Sequence, residues 1–429
     1  MKQAIVHHLN GIFASLVLYA AYGTCLGRAE DWQGLKSQLT QAGVTPALAY
    51  QADAAANTLG GIQRGASYSG NLHLQLLLDG ERLAGLPGLS GLVDVLWING
   101  GQPSEFTGDA QGVSNIAAPP ALRAYEAWLQ YNFPGNRFSI LAGRYDLNTE
   151  FYRLNSASLF LNSSFGIGPE FGQSGFAGPS VYPDTSLGVR LAYKPYPNTV
   201  LRVAVLDGAP LDPQSGSPGA FNGRSGLLVV AEAAFLTRPV ANDAPPEPRS
   251  RIGRQSGLPP YDDKIALGAW YYTANFDDLS ATGIAGSPLQ RRGEGGAYLL
   301  LDRLLFDAAD DTQRHLTGFV QLGLASQTVD RFAGYIGAGL TAFGLISGRP
   351  NDELGIAAAM AANSSHYIAG QQRAGLMVNP AEIAIELSYL AQVAPWLAVQ
   401  PDLQYVIHPN TDPNLRNAMV AQLRIEMSF

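Results

Sequence analysis

The side chains able to do chemistry are laid out in this sequence as rows rather than as catalytic motifs. Arg144 and Asp146 stand two residues apart, as do Glu126 and Trp128. Arg190, Lys194, Arg202 and Glu232 recur in three further segments of alternating polarity. Residues two apart share one face of a β-strand, so this spacing predicts ionisable groups projecting from one side of a sheet. They offer hydrogen-bond donors and acceptors to a polar solute. A second concentration lies in residues 148–185, with Phe151, Tyr152, Arg153, Phe160, Phe165, Glu170, Phe171, Phe176, Tyr182 and Asp184. Aromatic faces beside charged hydrogen-bonding groups suit a solute that carries both C–H faces and hydroxyls.

Covalent chemistry has no comparable footing. Past residue 29 the histidines are His73, His315, His366 and His408, none at H-E-x-x-H spacing. Ser364-Ser365-His366 is a serine–histidine run, but adjacent residues on a strand point apart. No G-x-S-x-G elbow or P-loop occurs. The expectation is no enzyme, no metal and no cofactor.

The elements that position these rows are most clearly read at the carboxyl end. From Ala418 to Phe429, Met419, Ala421, Leu423, Ile425, Met427 and Phe429 lie on one face, while Gln422, Arg424, Glu426 and Ser428 lie on the other. A continuous apolar face opposite a charged one suits a strand with lipid on one side and water on the other. A terminal Phe on such a strand resembles the signal of outer-membrane barrels. Upstream, 396–408 and 382–393 repeat the pattern across an Ala394-Pro395 turn. Further strands are expected at 354–363, 332–345, 314–325, 293–305, 264–274, 226–237, 198–206, 186–194, 137–147, 121–132, 90–98, 67–79 and 47–56. The total is sixteen, even as bacterial single-chain barrels require. Short turns at 133–136, 194–198 and 394–395 fall on the periplasmic side. Long connections at 99–120, 148–185, 207–225, 275–292, 364–381 and 409–417 fall outside. Residues 238–263, rich in Pro and Arg, break this rule: either an insertion or a missed strand pair lies there. Charged wall residues face inward, because Arg or Lys facing lipid at mid-bilayer costs about 2–4 kcal/mol.

Composition agrees. Mean hydropathy is +0.01, charged residues are 14%, and there are 48 Gly, 19 Tyr and 17 Phe. That describes many short strands and turns, with apolar residues interleaved rather than massed. Residues 1–29 read as a signal peptide, with Lys2, an apolar run Ile12–Ala20 and a small-x-small site at Gly27-Arg28-Ala29. The one cysteine, Cys25, falls within it. Residues 30–45 read as a helical segment at the periplasmic mouth, with Trp32, Leu35 and Leu39 at helical spacing before Gly43 and Pro46. Residues 46–429 then form a 16-stranded antiparallel transmembrane β-barrel, an all-β fold. A formal net charge of −8 argues against nucleic acid, since little neutralises phosphate.

Three stretches then resemble a known family. These are Gly60-Gly61 with Gly65, Tyr68 and Gly70; "ILAGRYD" at Ile140–Asp146; and "APWLAVQPDLQYVIHP" at Ala394–Pro409, followed by the Arg-containing strand to Phe429. Together they resemble the carbohydrate-selective porins of the Pseudomonas glucose-porin type. The resemblance implies a barrel in the bacterial outer membrane, in contact with its lipids, that passes small neutral sugars by diffusion. It also supports Arg144 and Glu126 as leading pore residues. In a porin of this size the third outer loop, 148–185, narrows the bore. The expected constriction therefore comprises Arg144, Glu126, Asp146, Trp128, Arg153, Phe151, Tyr152, Asp184, Arg190 and Arg202. A general non-selective porin, a barrel for polysaccharide export and an outer-membrane hydrolase stay open as alternatives. A homo-oligomer is compatible with the apolar outer face, which alternation alone does not divide.

Overall fold

The structure is a computed structural model describing residues 29–210, 225–237, 263–283, 286–308 and 314–429. Sixteen strands run β1 (Val44–Gly61), β2 (Gly65–Asp79), β3 (Leu89–Gly100), β4 (Ala121–Asn132), β5 (Phe138–Tyr145), β6 (Ser186–Tyr193), β7 (Thr199–Asp207) and β8 (Leu227–Leu236). They continue as β9 (Asp263–Thr282), β10 (Pro288–Asp307), β11 (His315–Ala325), β12 (Phe332–Phe343), β13 (Glu353–Asn363), β14 (Ala381–Ala394), β15 (Leu397–Ile407) and β16 (Arg416–Ser428). Each pairs with its sequence neighbours, and β1 pairs with β16, from Ala49↔Ser428 to Gly61↔Arg416. Closure leaves no open sheet edge facing lipid.

The dyad pattern sorts as expected. On β16, Gln422, Arg424 and Glu426 are buried inward while Leu423 and Ile425 are exposed outward. Leu129, Val189, Leu201, Leu267, Ile356 and Leu387 extend that exposed apolar band around the cylinder. At the rim carrying the short turns, Phe133 packs against Tyr131 at 5.0 Å and Phe138 at 5.2 Å, and Trp396 stacks on Phe429 at 6.1 Å. Exposed rings at a barrel rim form the aromatic girdle of a membrane–water interface. No helix among the described residues is long and apolar enough to cross a membrane.

Three features depart from the sequence reading, and one open alternative is resolved. Strands β9 and β10 are 20 residues each, so most of the expected outer connection 275–292 is hairpin. Its outward side carries Thr273, Asn275 and Asp277, and this polar row hid the strand from a search for lipid-facing residues. β1 begins at Val44 rather than residue 47. The outer connection 364–380 contains a helix, Ser365–Arg373, capped by Ser364 Oγ accepting from Tyr367 N. β8 pairs directly with β9, from Leu228↔Tyr272 to Leu236↔Lys264, so no strand pair is missing from the sheet. Residues 238–262 and residues 1–28 of the expected signal peptide 1–29 lie outside the described residues. A helix, Ala29–Gln41, precedes β1.

Candidate constriction site

Where β5 ends, the chain turns into the barrel instead of outward. Asp146 organises the turn: its carboxylate accepts from Asn148 N at 2.8 Å and from the Tyr125 hydroxyl at 2.6 Å. Its own N–H donates to Glu126 Oε1 at 3.0 Å, an oxygen that also accepts from Trp128 Nε1 at 3.3 Å. Glu126, Trp128 and Asp146 are thus brought together as the hinge of residues 146–185.

A chain segment inside a barrel has backbone groups that need partners. The wall supplies them in chemically matched form, because carboxylates only accept whereas side-chain amides and phenols can donate. Glu232 accepts from Tyr152 N at 3.0 Å. Asp302 accepts from Asn155 N at 3.0 Å and Ser156 N at 3.1 Å. Glu386 accepts from Leu161 N and, at 3.0 Å, Asn162 N; Glu294 accepts from Gly175 N at 2.7 Å. For the carbonyls, Gln400 donates to Leu159 O at 2.7 Å, Gln321 to Phe165 O at 2.9 Å and the Tyr335 hydroxyl to Ser164 O at 2.7 Å. Residues 101–120 turn inward by the same logic. Glu382 accepts from Ala110 N at 2.8 Å and Gln111 N at 2.9 Å, and Gln422 donates to Val113 O at 2.7 Å. Arg424 forms a two-pronged pair with Asp53 at 2.7 and 2.8 Å and also donates to Asn115 Oδ1 at 2.8 Å.

The basic residues gather on the other arc of the wall. Arg190 is fully committed: to Glu150 at 2.8 and 3.0 Å, Ser139 at 2.7 Å and Gln130 at 2.6 Å. Arg202 is not. It lies 3.6 Å from Glu150 and 3.7 Å from Glu232, its Nε makes no hydrogen bond, and its side chain keeps 17% of its surface open. Lys264 Nζ donates to Arg153 O at 2.6 Å. Arg123 pairs with Asp184. Burial works to raise the Glu150 carboxyl, but Arg190 and Arg202 overcome it and hold it below its ordinary value. The Glu170 carboxyl, deep in the inward loop, goes the other way. Burial pushes it up to about 7, only partly offset by the Tyr152 hydroxyl.

Several expectations need correction. Arg144 and Asp146 do not share a face: β5 buries Ser139, Leu141 and Tyr145, and Arg144 pairs in register with outward Ala127. Asp146 turns inward only because the strand has ended. Half-buried Arg144 instead donates through Nε to Thr185 Oγ1 at 2.9 Å. Phe151 and Tyr152 are wholly buried and present no surface to a solute. Tyr152 packs on Tyr298 at 4.4 Å, holding the loop to the wall. Arg190, 2% exposed, is likewise structural. Among the expected set, Arg202, Asp184, Arg153 and Arg144 remain partly open. Parity missed Arg123, since a bulge between Asp94 and Val95 of β3, opposite Tyr125, turns both Tyr125 and Glu126 inward. Asp302 and Glu294 were also missed, since their inward parity was legible but not the loop segment each would meet; Glu150, in the loop itself, had no parity to read.

These features can be set beside known proteins. The model of the family "Carbohydrate-selective porin, OprB family" matches residues 63–429. Porin B of Pseudomonas aeruginosa is 24% identical over 434 residues, spanning 93% of this chain and 90% of that protein. The high-pH structure of Pseudomonas putida OprB superposes with a TM-score of 0.79 at 21% identity, covering 93% of this chain and 97% of that one. The outer membrane channel DcaP of Acinetobacter baumannii superposes with a TM-score of 0.52 at 12% identity, over 91% and 98% of the two chains. A closed sixteen-strand cylinder with an apolar outer band, two loops folded into its lumen and a family match spanning almost all of it leave one conclusion: the chain belongs to the OprB family of carbohydrate-selective porins, outer-membrane channels for the passive diffusion of sugars.

Proposed function

We propose that this channel selects small neutral sugars at the passage between residues 146–185 and the basic arc of the wall, with Arg202 as the principal contact. The observation that carries the reading is the contrast between Arg190 and Arg202. Four hydrogen bonds consume the first, while the second lies 3.6 Å from Glu150 and 3.7 Å from Glu232, its Nε buried, and keeps 17% of its side-chain surface open. A guanidinium flanked by Glu150 and Glu232 offers donors and acceptors side by side, the pattern a sugar's vicinal hydroxyls require. Interleaved charges hold the field of the passage low, which favours a neutral solute over an ion. Asp184 and Arg153 extend the polar lining, and Glu126, Trp128 and Asp146 fix the hinge of the loop. Binding must be weak enough for release, since conduction needs exit as well as entry.

Reconstituted into planar bilayers, the channel should lose ion current on glucose titration. Proteoliposomes should swell faster in glucose than in a zwitterionic amino acid of equal size. A general non-selective porin would rank those solutes by size alone, and that result rejects the selectivity proposed here. The reading includes export to the outer membrane by residues 1–29; amino-terminal sequencing of the membrane form should begin at Glu30.

A further inference from the structure

The inward loop buries nearly all of its rings and leaves one bare. Phe151, Phe160, Phe165 and Phe171 are buried, whereas Phe176 exposes 54% of its surface. Its position is set by a ladder of contacts up β9. Phe171 stacks on Trp270 at 4.3 Å, Ser174 Oγ donates to the Tyr272 hydroxyl at 3.3 Å, and Phe176 stacks on Phe276 at 4.7 Å with 30° between the rings. β9 carries this series toward the end of the barrel where the loops lie. Phe176 is therefore the last rung, at the mouth that solute enters, and Phe276 behind it is buried and fixes the ring's attitude.

The neighbouring wall supplies polarity. Arg291 is the cross-strand partner of Phe276 in the β9–β10 register, and directly opposed residues stand on the same face about 5 Å apart. Asp278 lies two residues further along that face and accepts from Arg291 Nε at 2.9 Å. The carboxylate is itself held by Ser280 N at 2.9 Å, Ala281 N at 2.8 Å and His366 Nδ1 at 2.8 Å. Arg291 is thereby oriented through Nε while its side chain stays 43% exposed.

We infer that Phe176 and Arg291 form an entry subsite for a pyranose, separate from the constriction around Arg202. The sugar's C–H face lies on the open Phe176 ring, and its hydroxyls accept from the terminal nitrogens of Arg291. The inference rests on the sugar-channel reading above and adds a second point of contact nearer the outside. A ring held by stacking loses little freedom when a solute lands on it, which favours capture before the narrow passage.

The test is glucose-induced current noise in planar bilayers, with glucose added on the loop-bearing side. Phe176→Ala should lower the association constant about fivefold, while Phe176→Tyr and Phe176→Trp retain it. Arg291→Gln should lower it about twofold. The inference is overturned if Phe176→Ala binds as the parent does, or if the Ala, Tyr and Trp variants fall alike, since that marks a purely structural ring. Proteoliposome swelling separates the two readings. A parent channel indifferent to glucose sinks sugar selectivity and this subsite with it; a glucose-sensitive parent matched by Phe176→Ala sinks the subsite alone.

Discussion

Two arcs of the lumen wall use the same kinds of side chain for opposite purposes. From β4 to β9 the inward guanidinium groups answer carboxylates, Arg190 with Glu150, Arg202 with Glu150 and Glu232, and Arg123 with Asp184, while Glu126, Glu232 and Lys264 also bond the loop backbone. From β10 through β14 the carboxylates answer backbone, as Asp302, Glu294, Glu382 and Glu386 each accept N–H groups from an inward loop. One arc keeps guanidinium surface available to a solute; the other converts charge into anchorage. An inward carboxylate therefore has no fixed meaning until its partner is known.

Breaking the anchoring arc should have the largest effect. Asp302 accepts from Asn155 N, Ser156 N and the Ser156 hydroxyl. Asp302→Ala removes three charge-assisted bonds and is expected to cost about 4 kcal/mol of loop attachment. Single-channel conductance should rise severalfold and size discrimination should relax. Asp302→Asn, which keeps one acceptor oxygen, should fall between. An unaltered conductance in Asp302→Ala would show that the loop is held by its aromatic packing alone.

That contrast also marks how far sequence reaches. Alternation in Ala418–Phe429, and in fifteen segments before it, found every strand of the cylinder, because a lipid–water divide repeats every second residue. It placed Glu126, Trp128, Arg190, Arg202 and Glu232 inward correctly. It failed where the period slips or stops: at the Tyr125–Glu126 bulge, which brings Arg123 to Asp184, and at the end of β5, where Arg144 and Asp146 part company. The roles of Phe151 and Tyr152 were illegible for another reason. A loop folded into a lumen has water on one side and wall on the other, and no period in its sequence says which ring meets which.

The loop's own buried acid sharpens the comparison through pH. Glu170 titrates near 7 against an ordinary 4.5, so the folded loop favours its protonated form. The sign follows: stability from this group is fully present below about 4.5 and is lost as pH rises through 7, by at most about 3 kcal/mol. Protease cleavage within residues 146–185 should therefore accelerate between pH 5 and 8. Glu170→Gln, which stays neutral throughout, should flatten that profile. A profile that stays as steep in Glu170→Gln would assign the effect to other carboxyls.

On the solute-facing arc the expected effect is smaller and of a different kind. Arg202→Ala removes a guanidinium whose closest carboxylates stand at 3.6 and 3.7 Å. Pairs that long contribute little to attachment, so thermal stability should move less than with Asp302→Ala. Glucose block should weaken about fivefold, and the ion preference should shift toward cations as Glu150 and Glu232 lose a countercharge. Arg190→Ala should show the reverse pattern, losing stability before sugar block, because its four hydrogen bonds are internal. If both variants lose sugar block equally, the division between committed and available guanidinium is wrong.

The finest test lies on the anchoring arc, at a group that carries no charge. The Tyr335 hydroxyl donates to Ser164 O at 2.7 Å and stands 3.3 Å from Gln321 Oε1. Tyr335→Phe deletes one neutral hydrogen bond, yet the ring stays buried and the nearby Gln321 still donates to Phe165 O at 2.9 Å. A net loss of less than about 1 kcal/mol follows, seen as a small drop in the thermal midpoint with glucose block unmoved. The ratio of this loss to that of Asp302→Ala measures how much of the anchorage is electrostatic. Equal losses would mean that the carboxylates contribute no more than a phenol does, and the two arcs would then differ in composition without differing in work.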